Sequence, residues 1–177
     1  MFSALKSIFS PPVFQVESYK AYASIIEQSR KPFPYKELAV PDTLDGRFDV
    51  IVLHMFMVIF RLRRENTQEA GEFNRALQEV FFSDMDRSLR EMGSSDTGVG
   101  KRIKKMAQAF YGRIQAYEEA MQNPEHLKAA LKRNLYRDAD VAQNILVDLE
   151  AYILRNKQLL AAQKPQDILQ GIISFSD

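Results

Sequence analysis

The residues best suited to chemistry lie in SDMDRSLREMG (83–93) and in SSDTGVGKRIKKM (94–106), which follows at once. Asp84 and Asp86 flank Met85, and four cations occupy five positions from Lys101 to Lys105. Two carboxylates two apart on a helix diverge by about 200°, so Asp84 and Asp86 do not form a metal pair. Asp42, Asp45 and Asp49 lack the alternate spacing and terminal glutamate of a calcium loop. Gly100-Lys101 ends like a phosphate loop, but Ser95 stands where its first glycine belongs and Arg102 where its Ser or Thr belongs. His54 lies alone inside an apolar run. A buried imidazole bonded to a carbonyl or carboxylate explains it more simply than a proton-transfer residue or haem ligand does. No Ser-His-Asp or Cys-His arrangement and no paired glutamates of a di-iron bundle are visible, so no catalytic residue and no metal or cofactor site is expected.

The charges themselves remain. Lys101, Arg102, Lys104 and Lys105 fall on one arc opposite the seam Ile103–Met106–Phe110–Ile114–Tyr117–Met121. With a loop expected over 94–100, they occupy the first turns of their helix, where the macrodipole disfavours cations. Asp84, Asp86 and Glu91 crowd the end of the preceding helix, where anions are disfavoured. Two readings follow. One is a structural latch: Asp84–Arg87, Asp86–Arg90 and Arg87–Glu91 pair along one helix, and surplus cations pair across an antiparallel hairpin. The other is a partner-binding face that meets an acidic protein, RNA or lipid head groups. Its candidate residues are Asp84, Asp86, Arg87, Arg90, Glu91, Lys101, Arg102, Lys104, Lys105, Tyr111 and Arg113. The two readings are compatible.

The elements that must position these residues read as helices. Tyr19, Tyr22 and Ile26 set a seam over 16–30, and Pro32 stops it. Residues 31–46, with three prolines, form an ordered connection pinned by Phe33, Tyr35 and Val40. Between Asp49 and Arg61 every residue except His54 is apolar, so 47–64 form a central helix packed on most sides; the run is too short to cross a bilayer, which takes about 20 apolar residues. Asn66 with Glu69 suggests a capping box for a helix whose seam is Ala70, Phe73, Leu77, Phe81, Met85, Leu89 and Met92, ended by Gly93. Asn123-Pro124 opens a helix carrying Leu127, Leu131 and Leu135. Asp140 caps a long one with Val141, Ile145, Leu149, Tyr152, Ile153 and Leu160, and Ile168, Leu169, Ile172 and Ile173 close the core. The expected fold is all-α: one bundle of about six or seven helices over 16–177, around a buried central helix at 47–64, preceded by a tail at 1–15.

Composition agrees. A chain of 177 residues that is 46% hydrophobic and 27% charged, with seven glycines, reads as a soluble, helix-leaning globular domain. A net charge of +1 favours no partner class, and DNA is not among the expected partners. Without cysteine there are no disulfides, thiolate chemistry or cysteine zinc sites. MFSALKSIFSPP is not a secretory signal; Phe2, Leu5, Ile8 and Phe9 share one helical face, which leaves a membrane-surface contact open beside the plainer docked or frayed terminus.

Four segments carry a resemblance: VPDTLDGRFDVIVLHMFMVIFRL (40–62), FFSDMDRSLREMG (81–93), VGKRIKKMAQAFYGR (99–113) and AY (116–117). Together they resemble the ubiquinol–cytochrome c chaperone family, over about 19–136; DMDRSLREMG is the most specific block. GSSD at 93–96 departs from the GVGD that is familiar there. The resemblance implies a helical, non-enzymatic assembly factor of the cytochrome bc1 complex that binds newly made cytochrome b. In mitochondrial members it also implies contact with the ribosome near its exit tunnel and with a small partner subunit. The short lead before the domain suggests a bacterial member, cytoplasmic or peripheral on the inner membrane. A chaperone of this kind needs an apolar groove with a charged rim. Met55, Met57, Met85, Met92, Met106 and Met121 are either adaptable lining for it or, more plainly, core filler. A basic adaptor for ribosome or RNA, and a peripheral membrane protein, are the rival readings.

Overall fold

The computed structural model describes residues 14–93, 96–137 and 139–177. The expected amphipathic segment 2–9, and most of the expected tail 1–15, lie outside them. Five long helices carry the architecture: α1 (Gln15–Arg30), α3 (Leu44–Glu65), α4 (Gln68–Glu91), α5 (Asp96–Gln122) and α7 (Gln143–Ala162). Three short ones, α2 (Phe33–Lys36), α6 (Leu127–Leu131) and α8 (Pro165–Leu169), serve as corners, and α6 runs on into a π-helical turn at Lys132–Tyr136. No strand occurs among the described residues.

α3 is the expected central helix. Thr43 caps it, its side chain accepting the Gly46 N–H at 3.1 Å. Gly46 is required there: a Cβ would stand 1.9 Å from the Pro41 carbonyl oxygen. Beyond that turn α3 buries side chains on every side, from Val50 and Leu53 to Phe56 and Ile59, because α1, α4, α5 and α7 all pack against it. Each such side chain is worth about 1.5–3 kcal/mol, which overrides the weak helix propensity of its β-branched residues.

α4 and α5 form the expected antiparallel hairpin. Phe81 stacks on Phe110 with centroids 4.9 Å apart, and Phe82 meets both Phe110 and Tyr111. The α4 seam is buried as expected through Leu89, while Met92 is 55% exposed. α1 runs parallel to α4: Phe14 sits on Phe73, and eight residues on Tyr22 sits on Phe81.

Four local expectations are corrected. Thr67, not Asn66, caps α4, accepting the Ala70 N–H at 3.2 Å, while Asn66 ends α3 at φ 52°. The α1 seam is rotated: Ala21, Tyr22 and Ile25 are buried and Tyr19 is half exposed, because α3 and α4 flank the helix on the side of those residues. α7 starts at Gln143 without a side-chain cap, so Asp140 is not its cap. α5 begins at Asp96 rather than after Gly100. Lys101 to Lys105 therefore stand in its second and third turns, where the end of the dipole is weak.

His54 is fully buried and neutral. Its Nδ1 lies 2.8 Å from the Val50 carbonyl, which can only accept, so Nδ1 carries the proton. Nε2 then accepts the Tyr152 hydroxyl at 2.8 Å, and that hydroxyl in turn accepts from Gln28 Nε2 at 3.1 Å. Burial pulls the imidazole down to about 4. The histidine is thus the satisfied core residue expected, and a tie between α1, α3 and α7.

Candidate functional site

The helices leave a cleft of about 570 Å³ between the C-terminal half of α1, the start of α3, the end of α4 and the first half of α5. Each helix lends it apolar residues at helical spacing: Ile26 from α1, Phe48 and Ile51 from α3, Met85 and Leu89 from α4, Met106 from α5. None of these six is exposed, yet all border open space. Met92, at the mouth, is exposed.

The rim is charged and mainly positive. Arg30, Arg47, Arg102, Lys105, Arg113 and Arg137 line it with only Asp45 and Asp84 against them. Asp84 is held twice, accepting from the Tyr22 hydroxyl at 2.8 Å and from the Arg87 guanidinium. Burial, and after it the bond to Asp84, push the Tyr22 hydroxyl far above its usual range.

Beneath the rim lies a buried acid. Asp49 is 1% exposed, with Arg113 Nη2 2.7 Å from one oxygen and Arg137 Nη2 3.2 Å from the other. Burial pushes its carboxyl up to about 6, although both guanidinium groups pull it down. The Arg113 contact is a close ion pair outside hydrogen-bonding geometry, since Oδ1 has no hydrogen-bond partner among the described residues. Arg137 also reaches Asp45 at 2.7 Å, from a backbone held at φ 55°, ψ −115°. A non-glycine residue there costs on the order of 1–3 kcal/mol, which the two carboxylates help to offset.

Of the candidates chosen from sequence, the fold gathers Asp84, Arg102, Lys105 and Arg113 at the cleft. Asp86 turns away and pairs with Arg90 at 2.6 Å, and Arg87 turns back to Asp84 rather than on to Glu91. Glu91, Lys101 and Lys104 are exposed and do not line the cleft. Tyr111, 52% exposed, belongs instead to a shallow groove between α4 and α5 with Phe82, Asn74 and Gln78. The latch is therefore mainly a set of pairs within α4; Lys101, Lys104 and Lys105 hold no carboxylate among the described residues. Met55 and Met57 are core; Met85, itself buried, lines the cleft together with Met92 and Met106.

Sequence reasoning missed Arg30, Arg47, Asp49 and Arg137. Only Asp49 carried a signal: an acid opening the longest apolar run must be buried, and a buried carboxylate needs cationic partners. Arg137 comes from 88 residues downstream, which no local pattern shows.

A profile of the ubiquinol-cytochrome C chaperone family matches residues 36–175. The chain is 24% identical over 157 residues to mouse (Mus musculus) ubiquinol-cytochrome c reductase complex assembly factor 1, covering 88% of this chain and 52% of that protein. It is 25% identical to the Xenopus laevis protein of the same name, covering 88% and 78%. The chain thus spans about half the length of the mouse relative and more of the frog one. Among solved structures, the crystal structure of the Cbp3 homolog from Brucella abortus superposes with a TM-score of 0.81 at 32% identity, over 100% of this chain and 97% of that one.

Proposed function

The chain belongs to the ubiquinol-cytochrome C chaperone family, and on that basis we propose that it is a non-enzymatic assembly chaperone of the ubiquinol–cytochrome c reductase (bc1) complex that receives newly made cytochrome b. The observation that carries this reading is the cleft: an apolar floor drawn from four helices, three methionines among its lining residues, and a charged rim. Such a site gives an apolar segment a place to rest while remaining open for release. The names of the relatives supply the process; the cleft supplies the means. No described helix is long and apolar enough to cross a membrane. In the proposed reading the chaperone meets its client at the cytoplasmic face of the inner membrane.

Crosslinking in cells that make the chain, followed by pull-down, is expected to recover cytochrome b. Ile51→Glu, which places a charge on the cleft floor, is expected to lose most of it while the thermal melt stays cooperative. Normal bc1 levels in a deletion strain, with no client captured, overturn the reading. One further observation favours a ribosome contact beside client binding: Lys101 and Lys104 stand exposed outside the cleft with no carboxylate on them among the described residues. Co-sedimentation with ribosomes that falls steeply with salt and is lost in Lys101→Glu/Lys104→Glu supports it; salt-insensitive sedimentation argues against it.

A further inference from the structure

The cleft is too small to surround a membrane span. A spanning helix of about 20 residues is roughly 30 Å long and 10 Å across, more than a cleft of about 570 Å³ can surround, so such a helix would enter by one face only. Cavities of roughly 300–1,000 Å³ hold a ligand of drug size, the bulk of a few side chains. The part that enters is thus short, the apolar stripe of a few side chains.

Charge narrows it further. Six cations line the cleft against two carboxylates. Of the neighbours just outside the lining, Asp42 and Asp49 pair with Arg47, Arg113 and Arg137 while Arg87 pairs with Asp84, and with all three counted the cleft stays net positive. The whole chain carries only +1, so this excess is local. Arg30 at the end of α1 and Lys105 on α5 both line the cleft, and neither holds a carboxylate among the described residues. A neutral or basic segment seated between them would cover both cations without a partner, at a cost in desolvation. A segment with carboxylates beside its apolar stripe would pair with them.

We propose that the cleft selects a short amphipathic helical segment, about two turns, whose apolar stripe is flanked by Asp or Glu that pair with Arg30 and Lys105. This deepens the client reading above and rests on it for the identity of the protein that carries the segment.

The test uses the full chain and three labelled synthetic peptides. They share one Leu/Met stripe at i, i+3, i+4 and i+7 and differ only in flanking Glu, Gln or Lys. Fluorescence anisotropy is expected to rank Glu over Gln over Lys, by about tenfold at each step at low salt, and to compress at high salt. Arg30→Glu/Lys105→Glu, both exposed positions, is expected to invert the order without moving the thermal melt. Equal binding of the three peptides, or none, overturns the proposal. So does flotation with phosphatidylglycerol vesicles lost in the same variant while no peptide binds, which would make the occupant a lipid, or a dimer abolished by that variant, which would make it a second copy. Cytochrome b capture without charge selection overturns this inference alone, whereas charge-selective peptide binding without cytochrome b capture overturns only the client reading.

Discussion

Asp49 and His54 stand five positions apart on α3, both buried, and their titrations oppose each other. Burial raises Asp49 to about 6, so in the folded state it holds a proton that the unfolded chain releases near the ordinary value of 3.8. Stability from this group is full at low pH and is lost as pH rises through about 6. Burial lowers His54 to about 4 from 6.5, so stability from it is present above 6.5 and is lost as pH falls through about 4. Each effect is roughly 3 kcal/mol, since a tenfold change in proton affinity between the folded and unfolded chain is worth about 1.4 kcal/mol. Between pH 7 and 4 they nearly cancel. In Asp49→Asn only the histidine effect remains, so denaturant titrations should show wild type gaining on the variant by about 2–3 kcal/mol as pH falls across that window. A difference that shrinks instead would mean that Arg113 and Arg137 outweigh burial and hold the acid ionised.

At the scale of elements, glycines separate what packing requires from what it tolerates. Gly46 sits where α3 passes the Pro41 carbonyl, so Gly46→Ala must push backbone against backbone, tilting the start of α3 and with it Phe48 and Ile51 in the cleft. A loss of about 2–3 kcal/mol is expected, with weaker client capture. Gly112, inside α5, faces open space. Gly112→Ala should stabilise by about 0.5–1 kcal/mol through helix propensity alone. Thermal melts of the two variants check the contrast; equal shifts would refute it. The rotated seam of α1 belongs to this scale too. Tyr19, Tyr22 and Ile26 have the right spacing, but spacing identifies a helix, and only its neighbours decide which arc is covered.

Across the whole molecule, the C-terminal segment closes the bundle around the buried histidine. Phe175 meets the His54 ring edge-on at 5.2 Å. The Ser176 carbonyl accepts from Gln28 Nε2 at 3.0 Å, and the Ser176 N–H donates to Asn156 at 2.8 Å. Lys31 and Arg155 bind Asp177 from outside. Removing 175–177 opens His54, Gln28 and Asn156 to water together. A loss of about 2–3 kcal/mol is expected, read as a fall of roughly 4–10 °C in Tm. An unchanged Tm would show that α1 and α7 hold without this clasp. The cleft lies elsewhere, so the truncated chain should keep whatever charge selection the cleft has.

Read alone, the amino-acid sequence specifies the helices, the buried character of 47–64, the hairpin of α4 and α5, and the family. The first three rest on periodicity and local chemistry, which are read within a few turns of chain, and the family on the resemblance of whole segments. Asp84, Arg102, Lys105 and Arg113 were legible as charges, but not as neighbours of Arg30, Arg47 and Arg137. Packing in three dimensions is what turns Met85 and Met106 to open space while Met55 and Met57 fill the core, and what brings Arg137 to Asp49 from 88 residues away. The physical reason is that a cleft is the space helices fail to fill, and that space depends on their crossing angles and neighbours, which no single stretch of sequence encodes.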